Sequence, residues 1–247
     1  MIENFPVLVA ANRDEHYDRA SATPHLWSTK PRIFAGKDLL AGGTWLGVNE
    51  HGLLAGILNR RSTGEPEPPI GNHIRSRGLL CLDILGFKSA ADACAFIKRH
   101  EEIYQPFTVV FVDANEAWIA HNIRQKIETR KLDRGLHVYS SASDFAVRSE
   151  KVDRAHVRFS GIVERLSSTC GDKTAWVNSL HTVLGDHAVG NGSDDPREAI
   201  CVHGEVSGTL SSTIIFYSQS ERRLYTVNCP GPPCGESFGE AVQLEVR

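Results

Sequence analysis

The order of elements along the chain predicts an α+β fold, two antiparallel sheets with helices on the outside. Three observations carry this. Strand-like runs alternate with pairs of helix-like segments, which argues for segregated layers rather than βαβ units. Tight polar turns join successive strands, as antiparallel pairing requires. Neither G-x-G-x-x-G nor G-x-x-x-x-G-K-[ST] occurs, so no phosphate-binding strand–loop–helix is announced.

Residues 5–11 are a continuous apolar run with β-branched members and read as a buried strand. Residues 33–35 and 44–48 are short strands. Gly42-Gly43 between them lets the backbone turn or pass close beside another group. Residues 53–58 form the next strand, entered through the hairpin turn NEHG, Asn49 to Gly52. STGEPEPPIGN, residues 62–72, is rich in Pro, Gly and Glu and reads as a solvated loop. Residues 77–85 have helical spacing, with Leu80 and Ile84 on one side. Ser89 is placed to cap a second helix over 90–99, and Asp92 adds charge favourable near its N-terminus. Residues 107–112, 117–121 and 126–132 are successive strands, with DANE the clearest turn, and 136–140 is another. Helical patterns return over 149–165 and 175–184. The last strands, 208–217 and 224–228, are separated by the polar turn SQSERR.

Composition narrows the function. A chain of 247 residues, 41% hydrophobic and 23% charged, is ordinary for a globular protein and is read as a single domain over 1–247. A net charge of -3 supplies no basic face for nucleic acid or anionic membrane. The longest apolar runs, such as FTVVFV, are too short to span a bilayer, so no membrane insertion is expected. The start carries Glu3 and no basic stretch before an apolar one, which predicts a cytoplasmic protein. Six cysteines are too sparse for a disulfide scaffold. Cys229 and Cys234 flank PGPP, a spacing that could close a loop or hold a metal. With no second Cys or His pair to complete a zinc set, they read as structural thiols. His181 and His187 are six apart and do not share a helical face, and His203 reads as a loop residue. No metal and no cofactor are expected; Cys229-Pro230 reads as loop chemistry, not as a haem ligand.

Three stretches could carry chemistry. ANRDE, Ala11 to Glu15, puts an amide, a guanidinium and two carboxylates straight after an apolar strand. An Asx-turn and a surface ion pair would explain them. Alternatively Arg13 forks onto a substrate carbonyl or a thiolate at the lip of a sheet, and Asp14 orients an amine. In GGTWLGVNEHGLLAGILNRR, Trp45 supplies apolar wall. Asn59 at a strand end is either a turn residue or a donor to a developing oxyanion. In SGTLSSTIIFY, Ser207 to Tyr217, small hydroxyl residues including Ser211 suit a strand entry or a polar pocket floor.

ANRDEHYDRA, AGGTWLGVNEHGLLAGILNRR, RSRG (Arg75 to Gly78) and GTLSSTII resemble, in order, the motifs of the NRDE family, the family of transport and Golgi organisation protein two. The resemblance runs from about Phe5 to Tyr217. That family is similar to the N-terminal-nucleophile hydrolases, so the resemblance implies a four-layer αββα sandwich. It is similar also to choloylglycine hydrolases and penicillin V acylases. The implied mechanism is attack on a small amide by a cysteine at the mature N-terminus, whose α-amino group, with pKa near ~8, is the base. Arg13 would lower the thiolate pKa, Asp14 would hold the α-amino group, and Asn59 would join the oxyanion hole. Asn12, Trp45, Ser141 and Ser211 would contact the substrate.

The chain departs from that pattern at its start. It begins Met1-Ile2, and residues 5–11 resemble the family's second strand, so the first strand and its cysteine are missing from the sequence as read. Leu210 stands where many relatives carry Arg, and YSSAS (Tyr139 to Ser143) where some carry Asn. Two readings follow. The natural chain begins upstream at a cysteine and hydrolyses an amide. Or the chain binds a small hydrophobic ligand, such as haem or a lipid, in a trafficking role without hydrolysis.

Overall fold

The computed structural model describes residues 2–60, 74–123, 126–141, 149–168, 172–190 and 193–247. The 62–72 loop, Ser143 and Cys170 lie outside them. The chain divides into two compact units. One comprises Met1–Arg19, Arg134–Tyr139 and Phe145–Glu245, the other Ala20–Asp133, Ser140–Asp144 and Val246–Arg247.

The first unit is a four-stranded antiparallel sheet with two helices on one face. Its strands are β1 (Val7–His16), β11 (Ser207–Ser218), β12 (Arg223–Cys229) and β13 (Val242–Glu245), in the spatial order β1-β11-β12-β13. Its helices are α3 (Glu150–Ser168) and α4 (Lys173–Leu184). Helix α3 starts where Ser149 Oγ accepts from Val152 N at 3.2 Å. Glu150 and Asp153 in its first turn and Arg165 in its last complement the helix dipole. Helix α4 is capped by Asp172, whose carboxylate accepts from Ala175 N at 3.0 Å. The core is an aromatic knot. Trp176 of α4 meets Phe5 edge-on at 4.5 Å between ring centroids, and Phe216 of β11 lies 6.0 Å from both. Trp176 is 1% exposed, and burying a ring of that size stabilises the unit by about 2–3 kcal/mol.

The second unit holds β2 (Ser21–Trp27), β3 (Ile33–Asp38), β4 (Leu46–Asn49), β5 (Leu54–Asn59), β6 (Ile74–Arg75), β7 (Ile103–Tyr104), β8 (Phe107–Val112), β9 (Ala117–Ile123) and β10 (Lys126–Leu132). Seven of these strands form one antiparallel sheet in the order β10-β9-β8-β5-β4-β3-β2, and β6 and β7 make a short parallel pair. Helices α1 (Arg77–Ile84) and α2 (Ala90–Ile97) pack Leu80, Ile84, Ala93 and Ile97 onto Ala55, Val109 and Phe111 of the sheet. Ser89 caps α2 as expected, accepting from Asp92 N at 3.1 Å.

The motif glycines and Asn49 build this unit. Gly42 takes φ of +76°, and Gly43 passes so close to α1 that an added Cβ would lie 2.2 Å from the Gly78 carbonyl carbon. Thr44 N donates to Gly78 O at 3.0 Å there. Asn49 is buried. Its amide donates to Leu85 O and Phe87 O at 2.8 and 2.7 Å, while its Oδ1 accepts from His51 N and Leu53 N at 2.9 and 3.1 Å. One side chain thus shapes the NEHG turn and fastens it to the end of α1.

Two sequence expectations need correcting, and two further strands carried no sequence signal. The first strand does not stop at Ala11. It runs to His16, because Asn12, Arg13 and Asp14 continue the pairing with β11. Residues 136–140 pair with no strand among the described residues. Strand β2 was hidden because it is an exposed edge with alternating half-buried positions and Pro24 inside. The register shift between Ala22 and His25 accommodates the proline's missing N–H. Strand β13 is four residues long and three of them are exposed, so it carries no apolar pattern.

Candidate functional site

Across β1 and β11, Asn12 stands opposite Ser212, Arg13 opposite Ser211 and Asp14 opposite Thr209. Leu210 therefore has no partner in the ladder, and a bulge falls between Arg13 and Asp14. Bulges of this kind bend a ladder and re-aim the side chains beside them. Residues alternate faces along a strand, so Asn12 and Asp14 share one face and Arg13 lies on the other with Ser211.

Asn12 and Asp14 point to the helix-bearing face. The Asn12 amide donates to Leu184 O at 2.9 Å and Ile200 O at 3.0 Å, and its Oδ1 accepts from Ser212 Oγ at 2.5 Å. These three contacts among the described residues are internal, and they clamp β1 to the end of α4 and to the segment before β11. Asp14 Oδ1 accepts from Thr209 Oγ1 at 2.6 Å, and Lys151 Nζ of α3 stands 4.0 Å from Oδ2. The Thr209 hydroxyl also accepts from Val202 N at 2.9 Å, which fixes the direction of its proton. Protein atoms crowd the Asp14 carboxyl while 36% of its side-chain surface stays open to solvent. That crowding raises its pKa above the ordinary value, against the lowering pull of Lys151 and the Thr209 hydrogen bond. Arg13 is 8% exposed, a buried guanidinium beside a half-buried serine.

The other predicted residues fall in the second unit. Asn59 ends β5 opposite Phe107 and is exposed. Its neighbour Arg60 is buried, donating from Nη2 to Asn122 O at 2.6 Å and from its backbone to Pro106 O at 3.0 Å. Trp45 lies over β3, its ring filling the space a side chain at Gly36 would take. Ser141 is half-buried in a turn. Arg75 of the RSRG motif forks onto Asp83 and donates to Tyr104 Oη at 2.8 Å. It lines an open groove of about 530 Å³ with His100 and Glu102, and no predicted site residue lines that groove.

A second cluster in the first unit went unread. His187, His203 and Cys234 place one ligand atom each within 4.8 Å of one another. Cys201 Sγ lies 3.6 Å from His203 Nε2, and His203 Nε2 lies 3.1 Å from Cys234 Sγ. Cys229, the apparent sequence partner of Cys234, is instead buried with its thiol on Gly231 O at 3.3 Å. Cys201-x-His203 in extended backbone was the legible signal, since i and i+2 share a face. Thr209 and Lys151, the partners of Asp14, carried no signal of their own.

The chain is similar to the "Transport and Golgi organization protein 2 homolog" of Bos taurus, 29% identical over 115 residues covering 44% of this chain and 39% of the relative. The Homo sapiens homologue is 29% identical over 119 residues, 46% and 41% of the two chains. Each match thus spans about two fifths of the relative's length. Among solved structures, penicillin V acylase from Agrobacterium tumefaciens superposes with a TM-score of 0.60 at 16% identity, over 93% of this chain and 81% of that one. A variant of conjugated bile acid hydrolase from Clostridium perfringens gives 0.56 at 10% identity, over 97% and 94%. At such identities these likenesses show the fold alone, that of N-terminal-nucleophile hydrolases. No helix among the described residues is long and apolar enough to cross a membrane. A sequence model of one family, described as Transport and Golgi organisation 2, matches residues 2–228, and the chain belongs to that family.

Proposed function

We propose that this protein is a cytoplasmic amide hydrolase acting on a small molecule, with Arg13 the residue that meets the reacting group. The observation that carries the reading is a buried guanidinium on an edge strand, opposite Ser211 and next to a bulge. A fork of fixed N–H donors in a site shielded from water suits a carbonyl oxygen or a thiolate far better than it suits a surface ion pair. In this reading Ser211 and Asn12 of the same sheet contact the substrate. Asp14 keeps an amine in position, with Thr209 and Lys151 holding the carboxylate. The nucleophile is a cysteine at the amino terminus of the natural protein.

The test begins with the endogenous protein, its intact mass and its amino-terminal residue. It then measures amine release from penicillin V and conjugated bile acids. The expected result is an N-terminal cysteine with hydrolysis that falls about 10²-fold or more in Arg13→Lys, since an ammonium cannot replace the fork. Equal activity in Arg13→Lys would remove Arg13 from the mechanism. One observation favours a second reading: Arg13 and Asp14 occupy opposite faces of one strand, which suits a binding protein that never needed both at one reacting atom. Saturable binding of haem or a fatty acid without product, by a protein starting at Met1, would establish that reading instead.

A further inference from the structure

The Cys201, His203, Cys234 and His187 cluster takes no part in the amide-hydrolase reading, and three separate stretches of chain converge to make it. Cys201 and His203 sit on an extended segment held to β11 by Thr209 N donating to Val202 O at 2.9 Å and by a bridge from His203 to Gly208. His187 follows the end of α4, where Cys201 N donates to Asp186 O at 2.8 Å. Cys234 is delivered by a turn in which Gly235 N and Glu236 N both donate to Pro232 O at 3.0 Å. That turn is pinned to α4 twice. His181 Nε2 donates to Pro233 O at 2.5 Å. Gly185 lets the turn come so near that an added Cβ would lie 3.0 Å from the same oxygen. Backbone bonds outside the cluster therefore bring its side chains together.

We propose that these four residues bind one zinc ion, with two thiolates and two imidazoles as ligands. Bonds of about 2.3 Å to sulfur and about 2.0–2.1 Å to nitrogen at a tetrahedral centre require donors to stand roughly 3.3–3.8 Å apart. The spacings of 3.6 Å from Cys201 Sγ to His203 Nε2 and 3.1 Å from His203 Nε2 to Cys234 Sγ lie at or near that range. The ligand atom of His187 lies within 4.8 Å of those of His203 and Cys234, on an exposed imidazole. Two sulfurs with two imidazoles select zinc over magnesium or calcium, which take oxygen ligands. His187, His203 and Cys234 are exposed, so an ion can enter, while Cys201 is buried and closes the inner side. Four protein ligands leave no open position, which makes the zinc a structural staple rather than a catalytic centre. Its place is specific. Val202, between two of the ligands, is hydrogen-bonded to both the backbone N and the hydroxyl of Thr209, and that hydroxyl holds Asp14.

The test is metal content and cobalt spectroscopy on the full chain purified under reducing conditions. About one zinc per chain is expected, and cobalt in its place should show thiolate charge-transfer bands with the intense visible absorption of a tetrahedral site. Cys234→Ser and His187→Ala alter exposed side chains. Each should lose zinc while keeping the wild-type circular dichroism, and His51→Ala, in the other unit, should bind as wild type. Removing zinc with a chelator should lower the unfolding midpoint of the wild type and leave that of Cys234→Ser unchanged. Three results would overturn the proposal: a wild-type chain that takes up no zinc, a cobalt spectrum without thiolate bands, or isolation of the native protein with a Cys201–Cys234 disulfide.

Discussion

Asp14 is held between opposing influences, and their balance can be read in solution. Crowding raises its pKa, while Lys151 and Thr209 lower it less. A carboxyl whose folded pKa lies above its unfolded value favours the fold when protonated. That contribution is complete below the unfolded pKa of about 3.9 and is lost as pH rises through the folded value. Asp14→Asn should therefore have the higher unfolding midpoint at neutral pH, and the difference should shrink as pH falls toward the ordinary carboxylate range. Urea titrations of both proteins from pH 4 to pH 8 would check this; a constant difference would mean that Asp14 is not raised. At this scale the sequence was only half legible. It singled out Arg13 and Asp14, yet the strand runs through them, and their alternation puts them on opposite faces. The groups that hold Asn12, the carbonyls of Leu184 and Ile200, lie 172 and 188 residues along the chain, beyond the reach of any local pattern.

Elements with a strong local pattern were legible, and those set by distant partners were not. Helices α1 to α4 announced themselves through apolar spacing, and α2 also through its capping residue Ser89. Strand β2 did not, because an exposed edge needs no apolar stripe. The glycines show the same division. Gly43 and Gly161 look alike in sequence, but Gly43 meets the backbone of α1 while nothing lies within 4 Å of a Cβ added at Gly161 in α3. Backbone cannot give way as a flexible side chain can. Gly43→Ala should cost about 3 kcal/mol or more, and Gly161→Ala should gain about 0.5–1 kcal/mol through helix propensity. Chemical denaturation of the two variants measures both, and equal effects would mean that the Gly43–Gly78 approach is looser than described.

For the molecule as a whole, the alternation of strand runs with helix pairs was enough to foretell two antiparallel sheets with helices on the outside. The division into two compact units was not foretold, because the first takes its strands from both ends of the chain and the second from the stretch between. The thiol and imidazole cluster escaped for the same reason. Its members span 187 to 234, and only folding makes them neighbours.

Among the described residues, strand β1 ends the four-stranded sheet, with β11 on one side only. Its ten residues carry alternating amides, one set turned toward β11 and the other away from it. Placed in heavy water, the inward set should keep its protons far longer than the outward set, giving a two-residue rhythm of isotope uptake from Val7 to His16, interrupted at the bulge after Arg13. Proton-resolved exchange on the endogenous protein would show whether that rhythm survives. Uniform slow uptake along the strand would mean that a further length of polypeptide lies against its outer edge.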